Sequence, residues 1–148
     1  MTPLISPFAF LSMPQTTAQE QKQCANNWLK NRYSSAFKQG KELAFKHQTK
    51  QQAHHKKLRI GYLSADFRLH PLASLISELI ELHDRSAFEI YAYSYGINDQ
   101  TLERKRLEAA FDHFVDIRAL STLDAAKKIN DDQIDILVDL TGFTQTSR

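Results

Sequence analysis

The sequence contains few of the residues that build unusual scaffolds. It has one cysteine, Cys24, together with four glycines and four prolines in 148 residues. A single cysteine excludes an intramolecular disulfide and a cysteine-based zinc site, and it fits a reducing compartment, so we predict a cytoplasmic protein. No run of 18 apolar residues is present, so we expect no membrane-spanning helix. The composition also excludes collagen-like and low-complexity chains.

Charge is distributed unevenly along the chain. Residues 15–57 hold nine Lys/Arg against two Asp/Glu, a balance of +7, whereas residues 58–148 hold ten against fifteen, a balance of −5. This asymmetry predicts two parts, a segment over 1–57 and an α/β domain over 58–148. The basic charges of the first part are scattered rather than gathered on one helix face. They therefore favour a solvated surface over a nucleic-acid-binding adaptor.

The first part is predicted to contain extended, helical and linker portions. Its first 14 residues are apolar and uncharged, and Pro3 and Pro7 interrupt the run, which indicates an extended piece rather than a secretory signal. Aromatic and leucine residues at helical spacing predict helices over 17–32 and 34–49. The polar stretch that follows, up to residue 57, is typical of a linker.

Strand and helix patterns alternate from Lys57 onward. Short runs rich in β-branched and aromatic residues indicate buried strands, and amphipathic stretches between them indicate helices. The predicted strands cover 58–64, 88–95, 113–117 and 134–140, and the predicted helices cover 71–83, 101–111 and 121–131. This order requires right-handed crossovers and a parallel sheet with helices on both faces. We therefore predict a Rossmann-like α/β fold.

Two loops of such a fold are candidate ligand sites. Parallel sheets bind ligands at the carboxyl ends of their strands, which selects residues 64–71 and 141–148. The dinucleotide fingerprint G-x-G-x-x-G does not follow the first strand, so a dinucleotide site is excluded. The adjacent histidines at 54–55 have no third ligand at metal-binding spacing, so no metal site is predicted.

The first loop supplies the candidate site residues. His70 is either a general base or hydroxyl-binding group, or a surface or capping histidine beside Pro71. Asp66 either orients a ligand hydroxyl or caps the loop. Thr144 offers a hydroxyl in the second loop. A receiver-like binding module would need paired carboxylates after the first strand, and Asp66 stands there alone; a non-catalytic α/β binding module is nevertheless the alternative function.

Two motifs give the sequence a family resemblance. G-Y-L-S-A-D-F-x-x-H-P occupies residues 61–71, and I-D-I-L-V-D-L-T-G occupies residues 134–142. With the strands between them, in this order, they closely resemble the O-linked N-acetylglucosamine transferase and SPINDLY-like family, glycosyltransferase family 41. The resemblance covers most of the chain.

The resemblance implies a two-lobed glycosyltransferase of the GT-B type. Such enzymes transfer N-acetylglucosamine from its UDP conjugate, as donor substrate without a further cofactor, to Ser or Thr hydroxyls of proteins. His70 aligns with the histidine of the family's H-P motif, a general base or positioning group. Asp66, Pro71 and Thr144 would then contribute to substrate binding. An acceptor protein is the implied partner.

The resemblance also implies an incomplete enzyme. The nucleotide lies mainly on the carboxyl-terminal lobe of GT-B enzymes, and the sequence has no counterpart of that lobe. We therefore expect an amino-terminal catalytic-lobe fragment with negligible transferase activity alone, which a complementing lobe could complete. An uncovered sheet edge would favour self-association.

Overall fold

A computed structural model describes residues 5–43 and 56–144 of the chain. These residues belong to two compact units, one helical and one α/β. The helical unit includes residues 5–43 and the end of the described chain from residue 143, and the α/β unit includes residues 56–142. The predicted division after residue 57 is adjacent to residues 44–55, which lie outside the described range, so its position stays a prediction.

The helical unit contains three helices. They are α1 (Pro7–Leu11), α2 (Ala18–Arg32) and α3 (Ser34–Leu43). Thr17 begins α2 with a capping box, since its hydroxyl accepts from the Glu20 backbone N–H while the Glu20 carboxylate accepts from the Thr17 N–H. The remainder of the predicted helix over 34–49, beyond Leu43, lies outside the described residues.

The expected extended conformation near the amino terminus is wrong for α1. Pro7 occupies the first helical position, where its fixed φ angle fits and no N–H is needed. The Ser6 hydroxyl accepts from the Ala9 N–H and caps the helix. The proline that we interpreted as an interruption therefore starts a helix. In the part of the chain that the structure describes, none of the helices has the length and hydrophobicity needed to cross a bilayer.

The α/β unit contains the predicted alternation of four strands and three helices. In chain order they are β1 (Leu58–Ser64), α4 (Pro71–Glu81), β2 (Phe88–Ser94), α5 (Leu102–Ala110), β3 (His113–Asp116), α6 (Thr122–Asp131) and β4 (Ile136–Asp139). The prediction is confirmed for the type and order of all seven elements. The largest difference is in β4, which is shorter than the predicted strand at both ends.

All strand pairs are parallel, and the strand order is β3-β2-β1-β4. The register pairs Ser64 with Ser94 and Leu63 with Asp139, so the carboxyl ends of β2, β1 and β4 lie at one edge. The chain moves outward in one direction from β1 to β3 and then returns to the other side of β1 as β4. The point where the strand order reverses therefore lies between β1 and β4, where open α/β sheets bind ligands.

Alternating side chains of the strands build a core on each face of the sheet. Ile60 and Ile90 pack on one face with Ile80 of α4 and Leu107 of α5. Tyr93 packs on the opposite face in a cluster with three other buried residues, Tyr91, Ile117 and Ala125. Helices thus cover both faces, as the parallel sheet requires.

The outer strand β4 is less buried than its apolar sequence suggests. Ile136 and Leu137 are 47% and 46% exposed, although we interpreted the strand as a buried one. In the described sheet, β4 pairs with β1 on one side only. An edge position leaves apolar side chains in solvent that an inner position would cover, and a sequence pattern does not distinguish the two.

Neighbouring residues of α4 test the core assignment. Ile80 is fully buried, whereas Leu79 is 52% exposed. Ile80→Ala should lower the free energy of unfolding by about 2–5 kcal/mol, because it removes buried methyl groups and leaves a cavity. Leu79→Ala is the matched control and should change it by about 0.5 kcal/mol. Urea unfolding measures both, and equal losses would contradict the assigned face.

Gly96 tests the close approach between the ends of β1 and β2. A Cβ at Gly96 would lie 1.7 Å from the carbonyl oxygen of Ala65, a backbone atom that cannot turn away. Gly96→Ala should therefore lower the free energy of unfolding by about 3 kcal/mol or more. Among the residues that the structure describes, a Cβ at Gly40 in α3 meets nothing within 4 Å, so Gly40→Ala should raise the free energy of unfolding by about 0.5–1 kcal/mol. If Gly96→Ala proves neutral in the same urea experiment, the two strand ends are not in contact.

Candidate functional site

Two buried hydroxyls join the carboxyl ends of β1 and β4. The Oγ of Ser64 lies 3.3 Å from the Oγ1 of Thr141, and both residues are buried. The same Thr141 oxygen accepts a hydrogen bond from the Ala65 N–H, and the Ser64 oxygen accepts one from the Asp66 N–H. These bonds satisfy buried donors and fix the backbone direction as it leaves β1. The loop of residues 65–70, called the histidine loop below, starts from this point.

His70 ends the histidine loop as the N-cap of α4. Its Nδ1 accepts a hydrogen bond from the Leu72 N–H at 3.2 Å, and Pro71 occupies the first helical position. A ring nitrogen that accepts carries no proton, so the neutral imidazole has its proton on Nε2. The side chain is 37% exposed. His70 is thus a capping histidine, and it is also an accessible N–H donor at the ligand-binding edge of the sheet.

Asp66 lies close to the side chains of Arg68 and His70 in the same loop. Its Oδ1 is 3.2 Å from Nη2 of Arg68 and 3.9 Å from Nε2 of His70. The distance to His70 is too long for a hydrogen bond. Asp66 is 7% exposed and forms an ion pair with Arg68. The structure therefore places the side chains of Asp66, Arg68 and His70 close together in this loop.

Asp99, which the sequence analysis missed, holds the histidine loop from the segment between β2 and α5. Its Oδ2 accepts from the Leu69 N–H at 2.7 Å, and its Oδ1 accepts from the hydroxyl of Thr101 at 2.8 Å. Desolvation raises the pKa of Asp99, but the hydrogen bonds from Leu69 and Thr101 outweigh it, and the pKa lies below its usual value. The carboxylate therefore stays ionised at neutral pH and fixes the loop one residue before His70.

The remaining predicted site residues have separate positions. Pro71 is exposed at the start of α4 and sets the direction of the helix that His70 caps. Thr144 follows β4 in the segment that groups with the helical unit, so it is described with that unit and not with the histidine loop. Its hydroxyl is buried and has no hydrogen-bond partner among the described residues. Within residues 5–43 and 56–144, no cluster of His, Cys, Asp or Glu is suited to hold a metal ion.

Comparison with known proteins gives the chain its relatives. Over 93 residues it is 42% identical to the probable UDP-N-acetylglucosamine–peptide N-acetylglucosaminyltransferase SEC of Arabidopsis thaliana, a match that covers 63% of the chain and 10% of that protein. It is 40% identical over 93 residues to the UDP-N-acetylglucosamine–peptide N-acetylglucosaminyltransferase of Caenorhabditis elegans, covering 62% of the chain and 8% of that protein. The chain thus spans about a tenth of these relatives.

A solved structure and a family model agree with these relatives. A mutant of the Thermobaculum terrenum O-GlcNAc transferase superimposes with a TM-score of 0.73 and 29% identity, covering 91% of this chain and 25% of that one. The model for glycosyl transferase family 41 matches residues 21–148. Both the predicted resemblance and the predicted Rossmann-like fold are confirmed. The chain belongs to glycosyl transferase family 41.

Proposed function

We propose that this chain supplies the hydroxyl-binding wall of a protein glycosyltransferase. The donor substrate is UDP-N-acetylglucosamine, and the acceptor is a Ser or Thr hydroxyl of a protein. The family match and the activities named for the two relatives support this assignment. We further propose that a complementing lobe, on the same or another chain, binds the nucleotide, and that the protein acts in the cytoplasm.

The observation that carries the proposal is the 3.9 Å separation between Nε2 of His70 and Oδ1 of Asp66 at the reversal point of the sheet. A hydroxyl group both accepts and donates a hydrogen bond. The Nε2–H of His70 supplies a donor, and Oδ1 of Asp66, 3.9 Å away, supplies an acceptor. An oxygen about 2.8 Å from both atoms completes a triangle with good hydrogen-bond lengths. We propose that the acceptor hydroxyl, or a hydroxyl of the sugar, occupies this position.

The contact at Nδ1 supports the positioning role, one of the two roles that the resemblance offers for His70. A general base needs a ring nitrogen with a free lone pair near the reacting hydroxyl. Nδ1 already accepts from the Leu72 N–H, and Nε2 carries the proton. We therefore assign His70 the positioning role: it donates to the hydroxyl, and the hydroxyl's own proton passes along its hydrogen bond to the Asp66 carboxylate. As that proton leaves, the acceptor oxygen attacks the sugar carbon, and UDP departs with the electron pair of the broken bond. Pro71 completes the proposed set by holding the loop, whereas a substrate-binding role for Thr144 stays a prediction from the sequence.

Substitutions of His70 test this role in an active enzyme. The chain would replace the matching quarter of the Thermobaculum terrenum transferase, and transfer of labelled N-acetylglucosamine to an acceptor peptide would be measured. His70→Ala should lower kcat/KM about 10²–10³-fold, because a preorganised donor is lost. His70→Asn keeps both an N-cap acceptor and a donor, so it should retain at least about tenfold more activity than His70→Ala, with an unchanged pH profile.

His113→Ala is the matched control. His113 lies at the amino end of β3, where its Nε2 is 2.8 Å from Oε1 of Glu89. Its loss should change kcat/KM less than about twofold, since it is remote from the carboxyl edge. A His70→Asn variant as inactive as His70→Ala, with an altered pH profile, would make His70 a base instead. A replacement enzyme without any transfer activity would overturn the proposed function.

A further inference from the structure

Arg104 of α5 is a buried cation behind the histidine loop. The residue is 3% exposed, although charged side chains are rarely buried without partners. Its Nε lies 2.7 Å from Oε1 of Glu108, and its Cζ lies 4.3 Å from the centre of the Phe114 ring. Its Nη1 donates to Oγ of Ser94 at 3.0 Å and to the carbonyl oxygen of Phe67 at 3.1 Å. The guanidinium therefore connects the end of β2 with the histidine loop.

The contact with Phe67 fixes the middle of the histidine loop. The Phe67 ring is fully buried and packs edge-on against Phe111 and Phe114, with ring centres 5.5 Å and 5.8 Å away. Its side chain is thus held by the core, and its carbonyl is held by Arg104. A loop carbonyl that is buried this way needs a donor, and Arg104 is the donor that the structure provides.

The histidine loop has a second fixed point on its other side. The Leu69 N–H donates to Asp99, as described above, and Asp99 and Arg104 both belong to the segment between the end of β2 and the middle of α5. Arg68 and His70 therefore lie directly beside backbone groups that this segment holds. The Arg104 guanidinium and the Asp99 carboxylate therefore both form hydrogen bonds with the histidine loop, and both come from this one segment.

We propose that Arg104 is a positioning residue for His70: its hydrogen bond to the Phe67 carbonyl holds the histidine loop in the conformation in which the imidazole caps α4 and presents Nε2–H toward Asp66. This inference rests on the proposed function for its enzymatic meaning. The hydrogen bonds of Arg104 and His70 from which it is argued do not depend on that function. Arg suits the role because its planar group donates in several fixed directions, which a lysine ammonium does not reproduce.

A purely structural role for Arg104 makes a different prediction. A buried ion pair adds little to the free energy of unfolding compared with a well-packed apolar side chain. If Arg104 served only the core, its replacement by Met would change all core amides alike or leave them unchanged. A positioning role instead concentrates the change in the histidine loop.

Amide hydrogen exchange and ring ¹⁵N spectra of the 148-residue chain separate these two roles. In Arg104→Met, protection of the Leu69 and Leu72 amides should fall about tenfold or more, as expected when a charge-assisted hydrogen bond is lost in a local opening. His70 should change from one tautomer, protonated on Nε2, to a mixture. Core amides such as Ala92 should keep their protection. Arg104→Lys, which keeps the charge, should give the same change with smaller amplitude.

Arg106→Met is the matched control. Arg106 lies on the same helix but is 53% exposed, and it pairs with Glu81 of α4. Its replacement should leave the Leu69 and Leu72 amides and the His70 tautomer unchanged. A uniform loss of protection, no change in the loop, or unfolding of both Arg104 variants where Arg106→Met stays folded would each overturn the proposal. Because no readout requires transfer, the outcome is separate from that of the glycosyltransferase assignment.

Discussion

The hydrogen bonds between the ends of β1 and β4 fix the point from which the histidine loop starts, and the rest of the site depends on that point. Ser64 and Thr141 are buried polar residues, and their hydroxyls also accept the N–H groups of the first two loop residues. Buried donors without partners are costly, so the chain can leave β1 only along a narrow range of directions. The backbone pairing of the parallel sheet also restricts where the loop can start, since it aligns the carboxyl ends of the strands at one edge. The start of the histidine loop is fixed by both, and Asp99 and Arg104 hold the part of the loop that leads to His70.

Much of the α/β fold could be predicted because its signals are local. Buried strands are short apolar runs, and Pro71 and Ser121 mark helix starts by chemistry that acts within one turn. Two features were not predictable in the same way. The Pro7 helix depends on a cap by Ser6 that competes with the expectation of an extended segment. The exposure of Ile136 depends on which strand occupies the edge of the sheet, a property of tertiary structure.

The candidate site was predictable only in part, for a related reason. His70 and Asp66 share one loop, so the rule for parallel sheets and the family resemblance were sufficient to select them. Asp99 and Arg104 act on that loop from 30 and 37 residues away in the chain. Arg104 does share the buried face of its helix with Leu107, three residues later, which is the one sequence signal of its burial. No pattern indicates that its acceptor is a loop carbonyl.

The central claim is that the carboxyl edge of this sheet binds the hydroxyl that receives the sugar. The most direct measurement is a crystal structure of the Thermobaculum terrenum enzyme carrying this chain in place of its matching quarter, with UDP and an acceptor peptide bound. The account predicts the acceptor oxygen about 3 Å from both Nε2 of His70 and a carboxylate oxygen of Asp66. An acceptor hydroxyl bound elsewhere, with His70 turned away from it, would contradict the account.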